Sequence, residues 1–224
     1  MIARIPFNFL QMKPLIRLNR YLFQQKMHPN NHFKVTPFIS LYAITHLVVD
    51  ASCAYMLLGV LELNDNAILG MLTYNAVAFM LQAPFGLLID KILNPKLAAM
   101  VGLTFVAISF LFWNNLFAAL IIISVGNALY HVGGGSLVLS LEDKKATFSG
   151  IYVAPGAIGL AIGSFLSISR LSIHLFTFPI ILLFLGGFIY FVNAPEFIRE
   201  KENSGKIHSS YGIFFIVLIM RIQS

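Results

Sequence analysis

Charge is scarce in this chain. Only 11% of its 224 residues are Asp, Glu, Lys or Arg, against about 25% in an ordinary soluble domain. No acidic residue occurs before position 62 except Asp50. Cysteine is nearly absent as well. Cys53 stands alone inside an apolar run, which excludes an intrachain disulfide and a cysteine-based zinc site. No apolar core precedes a small-residue cleavage site near the start, so a secretory signal peptide is not expected. What is abundant is apolar sequence. Hydrophobic residues make up 58% of the chain, in runs long enough to cross a hydrocarbon core of about 30 Å. The reading is an all-α, polytopic membrane protein. Net charge of +6 does not imply nucleic-acid binding, because the cations cluster at the ends of apolar runs, where they set topology.

Residues 1–36 form a basic tail with Arg4, Lys13, Arg17, Arg20, Lys26 and Lys34. Leu15, Ile16, Leu18, Tyr21, Leu22 and Phe23 interleave with three of these cations. That pattern fits either a short helix on an anionic bilayer surface or an unstructured basic tail. Six spanning segments follow over 37–194, at roughly 37–61, 66–89, 96–113, 116–141, 147–169 and 173–194. A charged linker occupies 195–210. The apolar stretch 211–224 is too short to span and reads as an incomplete seventh helix. Thirteen cations fall on one side of the six segments and Arg170 alone on the other. The tail and the end of the sixth segment are therefore expected on the cytoplasmic face of the plasma membrane.

Polar residues inside lipid need partners, so they mark faces turned to protein or to a cavity. The first segment carries Tyr42, His46, Asp50 and Cys53 on one helical stripe. The second carries Asn75, Ala78, Gln82 and Gly86, and the fourth Ser124, Asn127, His131 and Gly134. The fifth presents Gly156, Gly159, Gly163 and Ser167, a small-residue stripe that lets backbones approach closely. The third and sixth are almost devoid of polar groups. Segments one, two, four and five are thus expected inside the bundle and three and six outside. An ionised carboxylate at the centre of a spanning helix costs on the order of 3 kcal/mol, so Asp50 must face water, meet a cation or take up a proton. His46, one turn away, gives a second proton-exchanging group. Gly133, Gly134 and Gly135 should loosen the fourth helix at about 1 kcal/mol each, beside a cavity that His131 would line. Pro155 should kink the fifth. Two histidines alone, without a cofactor motif, do not argue for haem. No resident metal or cofactor and no clustered catalytic set is expected, and hence no enzyme.

The turn holding Gly86, Leu88, Asp90, Lys91 and Lys96 is similar to the loop signature G-x-L-x-D-[RK]-x-G-[RK]-[RK] of the major facilitator superfamily, with Leu93, Asn94 and Pro95 in place of its later glycine and basic residues. Residues 150–159 around Pro155 resemble that superfamily's helix-five antiporter motif. His46-Leu-Val-Val-Asp50, Gly126-Asn127-Ala128-Leu129-Tyr130-His131 and Gly156-Ala-Ile-Gly159-Leu-Ala161-Ile-Gly163 resemble, more narrowly, fosmidomycin-resistance efflux transporters. The resemblance covers about residues 37–221. It implies the first six-helix half of a proton-linked transporter of a small organic solute, acting more in export than in uptake. It also implies a cavity lined by Asp50, Asn127 and His131, a gating loop at Gly86, Asp90 and Lys91, and a missing C-terminal half or second copy as partner. A nutrient or sugar symporter and a membrane sensor that moves nothing are the alternatives.

Overall fold

In the computed structural model, residues 32–62, 67–91, 94–141, 146–169 and 174–193 are described. The basic tail up to residue 31, the linker 195–210 and the stretch 211–224 lie outside them, as does Arg170. The described residues fold into α1 His32–Glu62, α2 Ala67–Met80, α3 Gln82–Lys91, α4 Pro95–Ser109 with a 3-10 turn Phe110–Phe112, α5 Leu116–Ser140, α6 Thr147–Ile168 and α7 Thr177–Phe191. There is no strand among them. Five spans are long and apolar enough to cross a membrane: Val35–Gly59, Ile68–Lys91, Pro95–Phe112, Phe117–Ser140 and Thr147–Ile168.

Several boundaries differ from expectation, each for a local reason. The first helix begins at His32, five residues before the expected 37. Pro37 lies inside it and removes only the donor that would meet the carbonyl of Phe33. Burial of Val35, Phe38 and Ile39 at 2% exposure offsets that loss. The second segment, expected to be one helix, is interrupted at Leu81. Pro84 lacks the N–H that would bond the carbonyl of Met80, so the ladder fails one turn upstream of the ring. Asn94 opens α4 by accepting from the Lys96 N–H at 2.8 Å, with Pro95 at the first helical position. Asn115 opens α5 in the same manner, accepting from the N–H of Ala118 at 3.2 Å. The last helix, α7, has 15 residues, which rise about 22 Å. It is shorter than the expected 173–194 span because the chain first turns through His174–Phe176, where the Thr177 N–H bonds the His174 carbonyl at 2.8 Å.

Small residues decide how the helices pack. Gly156, Gly159, Gly163 and Ser167 are all buried on α6. A Cβ at Gly159 or Gly163 would strike the carbonyl oxygen of Leu47 or Ala51, so α6 lies directly on the backbone of α1. A Cβ at Gly102 would stand 2.5 Å from the Tyr130 nitrogen, and one at Gly133 2.6 Å from the Ala99 nitrogen, so α4 and α5 meet as closely. This corrects the expectation for Gly133, Gly134 and Gly135: α5 runs through them unbroken. Contact with α4 and with Tyr152 supplies what their weak helix propensity withholds. α6 likewise continues through Pro155. Within this chain the first and fourth spans are the most buried of the five, at 61% each. The third is 44% buried over its most apolar window, whereas the second is 17% buried and the fifth 28%. Lacking polar groups, the third packs through Gly102 instead, and α7 covers it, with Gly186 near Leu103.

Candidate functional site

The polar stripe of α1 and that of α5 meet. Asp50 Oδ2 lies 3.2 Å from His46 Nε2, and Oδ1 lies 3.4 Å from His131 Nε2. The two Nε2 atoms stand 2.9 Å apart. His46 and Asp50 are buried and His131 is partly exposed. α6 closes the site from the third side. A Cβ on Gly156 would fall 2.5 Å from Asp50 Oδ2 and 2.7 Å from His46 Nε2, so only glycine leaves room for the pair. The ring of Tyr152 stacks on His46 with centroids 4.5 Å apart.

The far side of each imidazole fixes its tautomer. His46 Nδ1 is 2.7 Å from the backbone carbonyl of Tyr152, and His131 Nδ1 is 3.0 Å from that of Asn127. A carbonyl only accepts, so each Nδ1 carries the hydrogen and donates it. With neutral rings, both Nε2 atoms then present lone pairs. The carboxylate adds two more acceptor atoms. Four acceptors converge with no donor among them, a repulsive arrangement unless positive charge sits between them. A proton on the carboxyl or on one Nε2, or a bound cation, supplies that charge.

A cavity of about 420 Å³ adjoins it, lined by His46, Asp50, His131, Gln82, Gly135 and Tyr152 among others. Gln82 therefore reaches the cavity from α3. Asn75 does not: it is exposed on α2 and its Nδ2 donates to the Met71 carbonyl at 2.9 Å. Tyr74 and Ala78 take the buried face of α2 that the expected stripe gave to Asn75. Asn127 lies one turn from His131, outside the cavity lining. It is buried, and its Nδ2 donates to Tyr74 Oη at 2.6 Å and to Cys53 Sγ at 3.3 Å, which ties α5 to α1 and α2. Asp90 and Lys91 are exposed at the end of α3, with no ion pair among the described residues, and a Cβ at Gly86 would meet Val132 at 3.9 Å. Pro155 flanks the site through its neighbour Gly156.

Three contributors were not visible in sequence. Tyr152 supplies a backbone carbonyl, Tyr74 a hydroxyl at helical spacing from Ala78 and Gln82, and Lys96 a helix cap. Lys96 Nζ donates to the carbonyls of Tyr190 and Val192, both at 2.8 Å, where the last turn of α7 leaves them free. Comparison of the chain with protein-family models, with curated proteins and with solved structures finds no match in any of the three.

Proposed function

We propose that this chain is one six-helix bundle of a secondary transporter of the major facilitator type, closest to the fosmidomycin-resistance efflux group, and that it moves a small organic solute against a proton gradient. α7 with its flanking residues is the sixth span in this reading. The tail faces the cytoplasm and the plasma membrane is the site of action. The observation that carries the reading is the cluster of His46, Asp50 and His131 beside a cavity of about 420 Å³, within helices long and apolar enough to cross a membrane. Intramembrane ionisable groups of this kind mark solute and ion pathways. Asp50 lies near the centre of α1, the depth at which such carriers bind their cargo. Gln82 and His131 then orient solute from the cavity lining.

Alternating access needs a second bundle, supplied by a second copy or by six further helices. The exposed faces of the second and fifth segments, 17% and 28% buried, are where that partner fits. Reciprocal linkage follows: solute and coupling cation must each alter the other's binding.

The test is flux into vesicles holding the purified chain, with radiolabelled fosmidomycin as first probe and an imposed pH gradient. Gradient-dependent movement that Asp50→Asn abolishes supports the proposal. Movement unaffected by Asp50→Asn refutes the role of the cluster. A chain that moves no solute while binding it in the cavity is a sensor.

A further inference from the structure

We propose that His46, Asp50 and His131 form a mononuclear site for a divalent first-row transition-metal ion, with its remaining coordination positions open to the cavity. This goes beyond the transport reading and does not depend on it.

Geometry is the first support. A metal bonded at about 2.0–2.2 Å holds neighbouring donors about 3.0–3.5 Å apart. The two Nε2 atoms are 2.9 Å apart, and each has its own carboxylate oxygen, Oδ2 at 3.2 Å from His46 and Oδ1 at 3.4 Å from His131, a spacing that suits a carboxylate binding through both oxygens; with one ligand atom per residue the set lies within 4.8 Å. The second support is the outer shell. Metal-binding histidines donate their other N–H to a carbonyl or carboxylate, which aims the lone pair. Both imidazoles do so, to Tyr152 and Asn127. The third is the donor deficit: four acceptor atoms face one point, and a dication supplies the missing positive charge on a carboxylate that lipid would otherwise penalise.

Ligand chemistry narrows the ion. Two imidazoles and one carboxylate suit zinc, iron, cobalt or nickel and not magnesium or calcium, which take oxygen ligands. Cys53 is one turn beyond Asp50, but its sulfur accepts from Asn127 and lies outside the set. Three protein ligands leave positions for water or an oxygen-donor ligand. His131, the most exposed of the three, and Gly135, which has open space where a Cβ would stand, put those positions on the cavity side.

The experiment uses the full chain in detergent, freed of any polyhistidine tag and treated with a chelator. Co²⁺ is titrated in, because its visible spectrum reports nitrogen and oxygen ligation. One Co²⁺ per chain is expected, displaced by Zn²⁺ and not by Mg²⁺. Asp50→Asn and His131→Gln should each weaken binding by at least about 100-fold, the upper end of what losing an outer-shell partner costs. His174→Gln, at an exposed remote site, should leave it unchanged. If either ligand variant loses its helical circular dichroism, X-ray absorption on the Zn²⁺-loaded wild type replaces it: two imidazole nitrogens at about 2.0 Å are expected. A folded wild-type chain that takes up no Co²⁺ overturns the proposal. So does binding that survives both substitutions, or a zinc shell without imidazole.

Discussion

Replacing Gly156 by alanine tests the geometry of the cluster with a single methyl. The new Cβ would stand 2.5 Å from Asp50 Oδ2, 2.7 Å from His46 Nε2 and 2.9 Å from His46 Cε1. These lie well inside ordinary contact near 3.5–4.0 Å. The imidazole cannot swing away freely, because its Nδ1 is held by Tyr152 O on the same helix as Gly156. Overpacking of this kind costs about 1–3 kcal/mol, while alanine returns about 1 kcal/mol of helix propensity. Net stability should therefore fall by at most about 2 kcal/mol. The cluster absorbs the strain, and 1–3 kcal/mol there corresponds to a loss of about 5- to 150-fold in affinity for its cation. Gly187→Ala is the matched control, since nothing lies within 4 Å of its Cβ. It should gain up to about 1 kcal/mol and bind as wild type. The assay pairs Co²⁺ titration with denaturant unfolding in micelles. Gly156→Ala binding Co²⁺ with wild-type affinity would refute the contact.

Other substitutions probe the frame around the site. Gly163→Val drives a branched side chain onto the Ala51 carbonyl and should cost about 3 kcal/mol, the upper end for overpacking because backbone yields least. Unfolding in micelles reads it, and a neutral result would mean that α6 does not lie on α1. Asn127→Ala strips the donor from buried Tyr74 Oη and should cost about 1–3 kcal/mol, whereas Asn75→Ala, on an exposed face, should stay within about 0.5 kcal/mol. Equal effects at the two positions would reverse their assignment. Lys96→Met removes both bonds to the end of α7. Partial exposure limits the loss to about 1 kcal/mol, read as faster amide exchange in the residues after Tyr190, and unchanged exchange would mean the cap contributes nothing.

What could be read in the sequence was what one helix carries by itself. The spacing of His46 and Asp50 put them on one face, and the small-residue stripe of Gly156, Gly159 and Gly163 announced a close helix contact. Which partner each face meets was not legible. Gly156 touches Asp50 only because α6 lies in one register on α1, and the bond from His46 to Tyr152 uses a backbone atom that any residue would offer. Gly133, Gly134 and Gly135 show the same limit. Their propensity argues for a broken helix, and close contact with α4 and Tyr152 overrides it. The interruption before Pro84 was not read from the sequence, because hydropathy runs through the second segment without a gap. Asn75 was placed on the stripe of Ala78 and still faces outward, because Tyr74, one residue earlier, shares the buried face with Ala78.

The tautomers of His46 and His131 bear most directly on the claim that the bundle centre gathers acceptors around one positive charge. Nitrogen-15 spectra of histidine-labelled protein in lipid, assigned with His46→Gln and His131→Gln, should show hydrogen on both Nδ1 atoms and a joint shift of both Nε2 signals when Zn²⁺ is added. Hydrogen on either Nε2 with a bare Nδ1, unmoved by Zn²⁺, would contradict it.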